Sequence, residues 1–509
     1  MKTPTPEQAH AADTFRSGRH LVLQAGAGTG KTSTLCLLAA DTKRRGHYLA
    51  FNKDIARDAA ARFPSTVQCR TAHATAFAAF GHRYANRLNS PRQPAWRTGQ
   101  ALGIQRPVRI ADHEISQRTL SHIVLRTVTR FCYSADDALA HHHVPGLRGL
   151  QLPAKHAQFV DFVLPFAARA WSDLQRPDHG VVRFEHDHYL KMWALTGPKI
   201  EADFLFLDEA QDTNPVLEQV FTAQREHAQL VMVGDSAQAI YGWRGATDVM
   251  TGFDAEQLTL TRSFRFGPRI ADEANRWLAL ADAPIRLTGT TSIPAEVSNV
   301  DHPDAVLCRT NIGAMTEVMR LLGEGHRVAL TRGGQQLSQL AFAARDLKGG
   351  RRTHHPELVL FASWGDLQDY AAYDPAGHDL QPFVDLVDTH GPDTILTAVS
   401  ELDDEAHADV TVSTAHKAKG REWPTVKIGT DFPQPKGIDP GASGANLAEE
   451  LVSNADARLA YVAVTRARHR LDLGGLAWNA PAQHQMADDS TSSDQRSGVA
   501  GRPGARRYG

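Results

Sequence analysis

Three short stretches of this 509-residue chain carry side chains suited to phosphoryl chemistry. The first is Ala25-Gly26-Ala27-Gly28-Thr29-Gly30-Lys31-Thr32, followed by Ser33. It reads as a phosphate-binding loop with alanine in place of its first glycine. Small residues let backbone N–H groups close around phosphate oxygens at a helix N-terminus. Lys31 is spaced to reach the β- and γ-phosphates of ATP, and the Thr32 hydroxyl to ligate Mg²⁺. The second stretch is Asp208-Glu209-Ala210-Gln211-Asp212, directly after the apolar run Phe204–Leu207. Adjacent carboxylates at a strand end point in different directions. Asp208 can hold the metal while Glu209 polarises the attacking water. The third runs from Val233 to Ala246. Its Gln238 amide is placed to sense a γ-phosphate. Tyr241 and Trp243 are rings that can stack on unpaired bases, since every base has a π-face; Arg244 follows them. On composition alone Trp243 would be a core residue.

These groups need rigid elements beneath them. Leu21–Gln24 is a short apolar run, a helical pattern runs from Lys31 to about Arg44, Tyr48–Phe51 reads as the next strand and Ile55–Phe63 as the next helix. Such alternation implies an α/β fold with a parallel sheet. Residues 82–185 turn helical and Arg-rich, with nine arginines against two acids between 81 and 132. That bias suits a solvated face or a phosphate-contact surface. Strand signals return at Phe204–Leu207 and Leu230–Val233. A further α/β block begins near Leu258, uses Ala305–Cys308, resumes at Val410–Ser413 and continues through Tyr461–Val464. Residues 353–416 hold no Lys or Arg and thirteen acids. So anionic a segment repels phosphate backbones; it is a solvated face or a docking surface for a protein partner. From Ala480 the composition reads as a disordered tail.

Lys and Arg total 55 and Asp and Glu 57, a formal charge of −2, which excludes a whole-molecule basic field and leaves nucleic-acid contact to local patches. The four cysteines form no CxxC pair, so a zinc knuckle, an iron–sulfur cluster and a disulfide scaffold are not expected, and a reducing compartment is. Met1–Gln8 lacks the apolar core of a signal peptide, and no apolar run is long enough to span a bilayer. A cytoplasmic, nucleoid-associated protein without membrane contact is therefore expected. His141-His142-His143 cannot all face one ion from successive positions and reads as a solvated run, as does His354-His355.

In this order the phosphate loop, the DEAQD box and GDSAQAIYGWRGA resemble a superfamily 1 DNA helicase of the UvrD/Rep type. The resemblance runs from about residue 5 to 478. The spellings AFNKDIA and STAHKAKGREW look most like the F-box DNA helicase branch and its small bacterial relatives, although no F-box is recognisable. It implies two RecA-like P-loop NTPase lobes. The first comprises 1–81 and 190–255, with a helical Arg-rich insertion over 82–189. The second comprises 256–334 and 406–479, with a short acidic insertion over 335–405; the tail is 480–509.

The resemblance also implies roles. Gln8, in Thr5-Pro6-Glu7-Gln8, would pair with adenine, and Phe264 would stack on it without the hydroxyl of the family's usual tyrosine. Glu422 would hold the ribose, and Arg265 and Arg466 would complete the γ-phosphate site from the second lobe. Asn52, Lys53, Thr71 and His73 would meet the DNA on one lobe. Thr414 and His416, with Arg309 and Asn311 after the strand at 305–308, would meet it on the other. Before Arg458 the family often has two glutamates where this chain has Ala455 and Asp456. ATP and Mg²⁺ as cofactors, single-stranded DNA and single/double-strand junctions as partners, and 3′-to-5′ movement in repair, recombination or replication all follow from the likeness. A translocase that strips recombination proteins with little unwinding is the alternative. A nucleotide-gated DNA-binding protein is the reading from another class.

Overall fold

The structure is a computed structural model that describes residues 3–434 and 452–479, apart from 41, 51, 89, 91–94, 111–112, 148–149, 151, 241–248, 332–333, 356, 360 and 374–379. The expectations for Tyr241, Trp243, Arg244 and the tail 480–509 lie outside the described residues.

Two six-stranded sheets carry the fold, and every strand pair in them is parallel. The first sheet comprises β1 (Leu21–Ala25), β2 (Gly46–Ala50), β3 (Val67–Thr71), β6 (Phe204–Asp208), β7 (Gln229–Gly234) and β8 (Glu256–Leu260), in the order β3-β2-β6-β7-β1-β8. Its central strands are continuous apolar runs because helices cover both faces. The alternation along β6 shows the split. Phe204 and Phe206 pack with Phe15, Leu35 and Val231 on one face. Leu205 and Leu207 join Leu120, Val124, Phe159 and Val163 on the other. Those last four belong to the helices Gln117–Tyr133 and Pro153–Leu174 of the inserted segment, so this insertion shares the sheet's core. A small antiparallel hairpin, β4 (Val108–Ile110) with β5 (His113–Ile115), belongs to it too. One of its arginines is structural: Arg87 is buried and donates to the carbonyls of Asp173, Leu174, Arg176 and Val182.

The second lobe, read from sequence as starting at residue 256, starts later. Glu256–Leu260 pairs with β1 as the outer strand of the first sheet, with alternating partial exposure as an edge strand requires. After it come the short parallel pair β9 (Arg262–Ser263) and β10 (Thr288–Gly289). The second sheet comprises β11 (Glu296–Val297), β12 (Ala305–Cys308), β13 (Val328–Leu330), β14 (Val410–Thr414), β15 (Trp423–Ile428) and β16 (Ala467–Asp472), in the order β11-β16-β15-β12-β14-β13.

The chain leaves this sheet after β13 and returns before β14, forming the helices Gly334–Lys348, Trp364–Tyr373, Gln381–His390 and Pro392–Ser400. Leu337, Ala341, Leu367 and Val387 from these helices share one core with Val306 and Val412 of the sheet. The acidic insertion is thus a helical layer seated on the second lobe. Some of its acids are used internally: Asp388 accepts from Lys348 Nζ (2.8 Å), Trp364 Nε1 (2.8 Å) and Gln368 Nε2 (2.6 Å). Among the described residues no helix is long and apolar enough to cross a membrane.

Candidate functional site

In an open parallel sheet the ligand crevice lies outside the carboxyl ends of the strands. The loop Gly26–Gly30 leaves the carboxyl end of β1 and opens the helix Lys31–Ala40. Gly28 and Gly30 hold φ of +74° and +80°, the left-handed region open to glycine at little cost. Space matters as well as angle. A Cβ on Gly28 would meet Arg265 Cβ and Ser263 Oγ at 2.6 Å each. The segment Ser263–Arg265 therefore lies against the loop, and the Phe264 N–H donates to the Gly28 carbonyl at 2.8 Å.

The two carboxylates sit where the strand ends. The Thr32 hydroxyl donates to Asp208 Oδ2 at 3.3 Å, and the buried Tyr48 hydroxyl donates to the same oxygen at 2.5 Å. Neighbouring ligands of an octahedral Mg²⁺ stand about 3 Å apart, so Thr32 and Asp208 fit that ion as a ligand pair. Glu209 takes a left-handed φ of +52°, a strained conformation for a non-glycine residue costing on the order of 1 kcal/mol. That turn carries its carboxylate to 3.3 Å from Lys31 Nζ. Burial by itself would lower the Lys31 pKa, but Glu209, Asp235 and Asp208 outweigh it and raise the ammonium above its usual value. Burial pushes Glu209 up, while Lys31 and Lys419 outweigh that and hold it ionised. Asp208 is raised by burial and by the neighbouring Glu209 charge. Three carboxylates, Asp208, Glu209 and Asp235, around Lys31 make a site that suits a further divalent cation.

The second lobe completes the crevice. Arg265 Nε donates to Glu422 Oε2 (2.6 Å) and its Nη1 to the Thr465 carbonyl (3.1 Å). Arg466 is 1 % exposed, and its hydrogen bonds go to neutral acceptors: the carbonyls of Val462 and Arg421 and the Thr465 hydroxyl. Burial, then Arg265, lowers its pKa to about 9. A buried guanidinium beside a second cation, with no acid in its own hydrogen-bond set, fits an anion such as a γ-phosphate. Gln8 and Phe264 flank one point of the loop, since a Cβ on Gly30 would lie 3.6 Å from Gln8 Nε2 and 3.7 Å from the Phe264 ring. Phe264 is 42 % exposed beside the crevice, with the Arg262 guanidinium over its ring, 5.6 Å from the centre. The Gln8 amide is already oriented: its oxygen accepts the Thr5 N–H and its nitrogen donates to Thr34 Oγ1. Glu422, expected at the ribose, is engaged with Arg265.

Gln238 lies across the crevice, its amide donating to Asp235 Oδ2 at 2.6 Å. Residues not singled out from sequence tie the lobes together here. The Tyr461 hydroxyl donates to Asp235 Oδ2 (2.8 Å) and accepts the Ala27 N–H of the phosphate loop (3.0 Å). Lys419 Nζ donates to Asp212 Oδ2 (2.5 Å) and to the Gln238 carbonyl (2.7 Å). Tyr461 sits in an apolar helical run and Lys419 in a basic one, so only long-range pairing reveals either.

The expected DNA contacts fall into two groups. On the first lobe Lys53, Thr71 and His73 line one open groove with Phe77 and Tyr189. Asn52 and Thr71 spend their side chains as helix N-caps, accepting the N–H of Ile55 and Ala74. His73 Nε2 is 2.9 Å from Asp187 Oδ1. On the second lobe Arg309, Asn311, Thr414 and His416 gather at the carboxyl ends of the paired strands β12 and β14, where Cys308 faces Thr414. Thr414 is 5 % exposed and its hydroxyl accepts the Lys417 N–H. Lys417, absent from the expectations, donates to Asn311 Oδ1 at 2.9 Å. Asp456, one of the two positions that depart from the family's acidic pair, is 3.0 Å from Arg309.

The histidine run is not wholly solvated. His143 is 2 % exposed, and His142 and His143 both face Asp136 Oδ2, at 2.7 and 2.8 Å. The three ligand atoms of Asp136, His142 and His143 lie within 4.8 Å of one another, close enough for one ion, but the hydrogen bonding favours a histidine–carboxylate pair. His143 Nδ1 accepts the Ala140 N–H, which places the ring proton on Nε2, the nitrogen aimed at the carboxylate.

The UvrD/REP helicase N-terminal domain model matches residues 192–254, and the UvrD-like helicase C-terminal domain model matches 391–474. F-box DNA helicase protein 1 of Schizosaccharomyces pombe is 29% identical over 497 residues, covering 90% of this chain and 55% of that protein. F-box DNA helicase 1 of Gallus gallus is 28% identical over 499 residues, covering 89% and 47%. ATP-dependent DNA helicase UvrD2 of Mycobacterium tuberculosis is 26% identical over 358 residues, covering 56% and 49%. The chain spans about half the length of these relatives.

Proposed function

We propose that this chain, whose residues 192–254 and 391–474 match UvrD-like helicase domains, is an ATP-dependent DNA helicase of the UvrD/Rep type that translocates along single-stranded DNA, 3′ to 5′. The observation that carries this reading is convergence. Lys31, Thr32, Asp208 and Glu209 from one parallel sheet and Arg265 and Arg466 from the other lobe line a single crevice.

Magnesium ATP supplies the phosphoanhydride and the metal charge. Thr32 and Asp208 would hold the ion, Glu209 would orient the attacking water, and Lys31 with the two arginines would neutralise charge on the transferring phosphoryl group. Because the arginines come from the second lobe, the charge-neutralising set is complete only when the lobes are closed. Lys419 spans that gap from the turn that bears Thr414 and His416. Opening and closing at the nucleotide therefore changes the grip on the strand.

Phe264 offers its exposed ring to adenine. Base stacking contributes about 1–3 kcal/mol. Phe264→Ala is expected to raise the KM for ATP about tenfold or more while leaving kcat within about threefold. Steady-state ATP titrations on saturating oligonucleotide read both constants.

The insertion of the second lobe favours modest unwinding. It is a short, acidic layer seated on its own lobe and is poorly suited to gripping duplex phosphates. A role in displacing bound proteins is the second reading. Duplexes with a 3′ or a 5′ single-stranded tail separate the two. ATP-dependent strand separation of the 3′-tailed substrate alone is the expected result. DNA-stimulated hydrolysis without separation of either would favour protein displacement, and separation of the 5′-tailed substrate alone would reverse the proposed direction.

A further inference from the structure

We propose that Arg421 is a positioning residue through which the helical insertion of the second lobe sets both arginines of the nucleotide site. This rests on the reading of Arg265 and Arg466 given above. Three consecutive residues hold those arginines. The Arg421 carbonyl accepts from Arg466 Nη1 at 3.2 Å. The Glu422 carboxylate accepts from Arg265 Nε at 2.6 Å. The Trp423 N–H donates to the Arg466 carbonyl at 3.0 Å. Residues 421–423 thus hold one nitrogen of each guanidinium and the Arg466 backbone, and Val462 and Thr465 hold Nε and Nη2 of Arg466 and Nη1 of Arg265.

The Arg421 side chain fixes where that tripeptide stands, and it does so at the base of the insertion. Its Nη1 donates to Glu405 Oε1 (2.9 Å) and to Thr331 Oγ1 (2.9 Å), and its Nη2 donates to the other Glu405 oxygen. The guanidinium also stacks over the Trp423 ring, 5.1 Å from its centre. Thr331 follows β13, where the chain departs into the four helices, and Glu405 lies on the segment that returns to β14. One planar fork thus clamps both ends of the insertion to the turn that holds the arginines. A lysine has no such fork, because bidentate pairing needs the planar guanidinium. A displacement of the helical layer, by DNA or by a bound protein, would pull on this clamp before anything else in the nucleotide site.

The test uses the full chain with Arg421→Met, which keeps an apolar stem beside Trp423 and removes the fork, and Glu405→Gln, which keeps the shape and removes the charge. In each, kcat for hydrolysis on saturating single-stranded DNA should fall about three- to tenfold, the scale of a partly exposed ion pair transmitted to the barrier. KM for ATP should stay within about twofold, because the phosphate loop and Phe264 are untouched. The exchange Arg421→Glu with Glu405→Arg should recover most of the lost kcat. A merely structural role would shift the thermal midpoint and KM along with kcat and show no recovery in the exchange, and that result would overturn the proposal. Unchanged kcat in Arg421→Met and Glu405→Gln would overturn it too. Glu209→Gln is measured beside them: if it still hydrolyses ATP, the nucleotide-site reading has failed, whereas an inactive Glu209→Gln with a fully active Arg421→Met removes the clamp alone.

Discussion

Replacing Arg466 or Arg265 by alanine should slow ATP hydrolysis on single-stranded DNA by a factor of about 10³ or more, the range seen when a transition-state arginine is removed. The two substitutions should differ in their side effects. Arg265 keeps some solvent exposure and pairs with Glu422, so its loss leaves an acid able to rehydrate. Arg466 is enclosed, and its removal takes the side-chain donor from the Arg421 carbonyl and empties a buried site, while the Val462 carbonyl and the Thr465 hydroxyl keep their bond to each other. A buried acceptor left unpaired costs about 1–3 kcal/mol at most, so Arg466→Ala should also lower the thermal midpoint while Arg265→Ala does not. Arg466→Lys keeps the charge and restores fold stability better than rate, because a lysine cannot reproduce the three-way fork. ATP affinity, read with Glu209→Gln as a non-hydrolysing background, should change far less than kcat in all three.

Lys31→Ala should bring hydrolysis to background, and for two reasons at once. The lysine is placed to reach the phosphates in the proposed reading, and it is also the cation that balances Glu209, Asp235 and Asp208. Without it three buried carboxylates face one another, and burial, opposed then mainly by Lys419, would push Glu209 toward its neutral form. Nucleotide binding should weaken together with turnover. Glu209→Gln should behave differently, binding ATP and failing to cleave it, since the amide is close in shape and lacks the charge that orients water. Equilibrium nucleotide binding beside the hydrolysis rate distinguishes the pair of variants.

Much of the site was legible because its chemistry is local. The loop from Gly26 to Thr32 needs only its own backbone and one helix, and Asp208 and Glu209 need only a strand end. The apolar strands β1, β6 and β7 announce themselves as short uninterrupted runs. Other features depend on pairing across hundreds of residues. Glu256–Leu260 alternates in the manner of any edge strand, and nothing in it says which sheet it joins. Tyr461 reads as one apolar position in a buried helix, yet its hydroxyl reaches Asp235 and the phosphate loop. Asn52 and Thr71 carry the right side chains for a DNA contact but use them as helix caps, which spacing alone does not reveal. The acidic insertion was legible as charge and not as architecture, because Asp366, Asp369, Asp385, Asp388 and Asp393 are exposed on helices whose apolar residues complete the core of the second sheet.

The account stands on nucleotide turnover being gated by a single strand held across two lobes. Its most direct test is the rate of ATP hydrolysis by the purified chain as single-stranded oligonucleotide is added, with Glu209→Gln alongside. A low basal rate that climbs steeply with the oligonucleotide, and stays flat in Glu209→Gln, is the predicted result. A rate indifferent to DNA, or one that survives in Glu209→Gln, would contradict it.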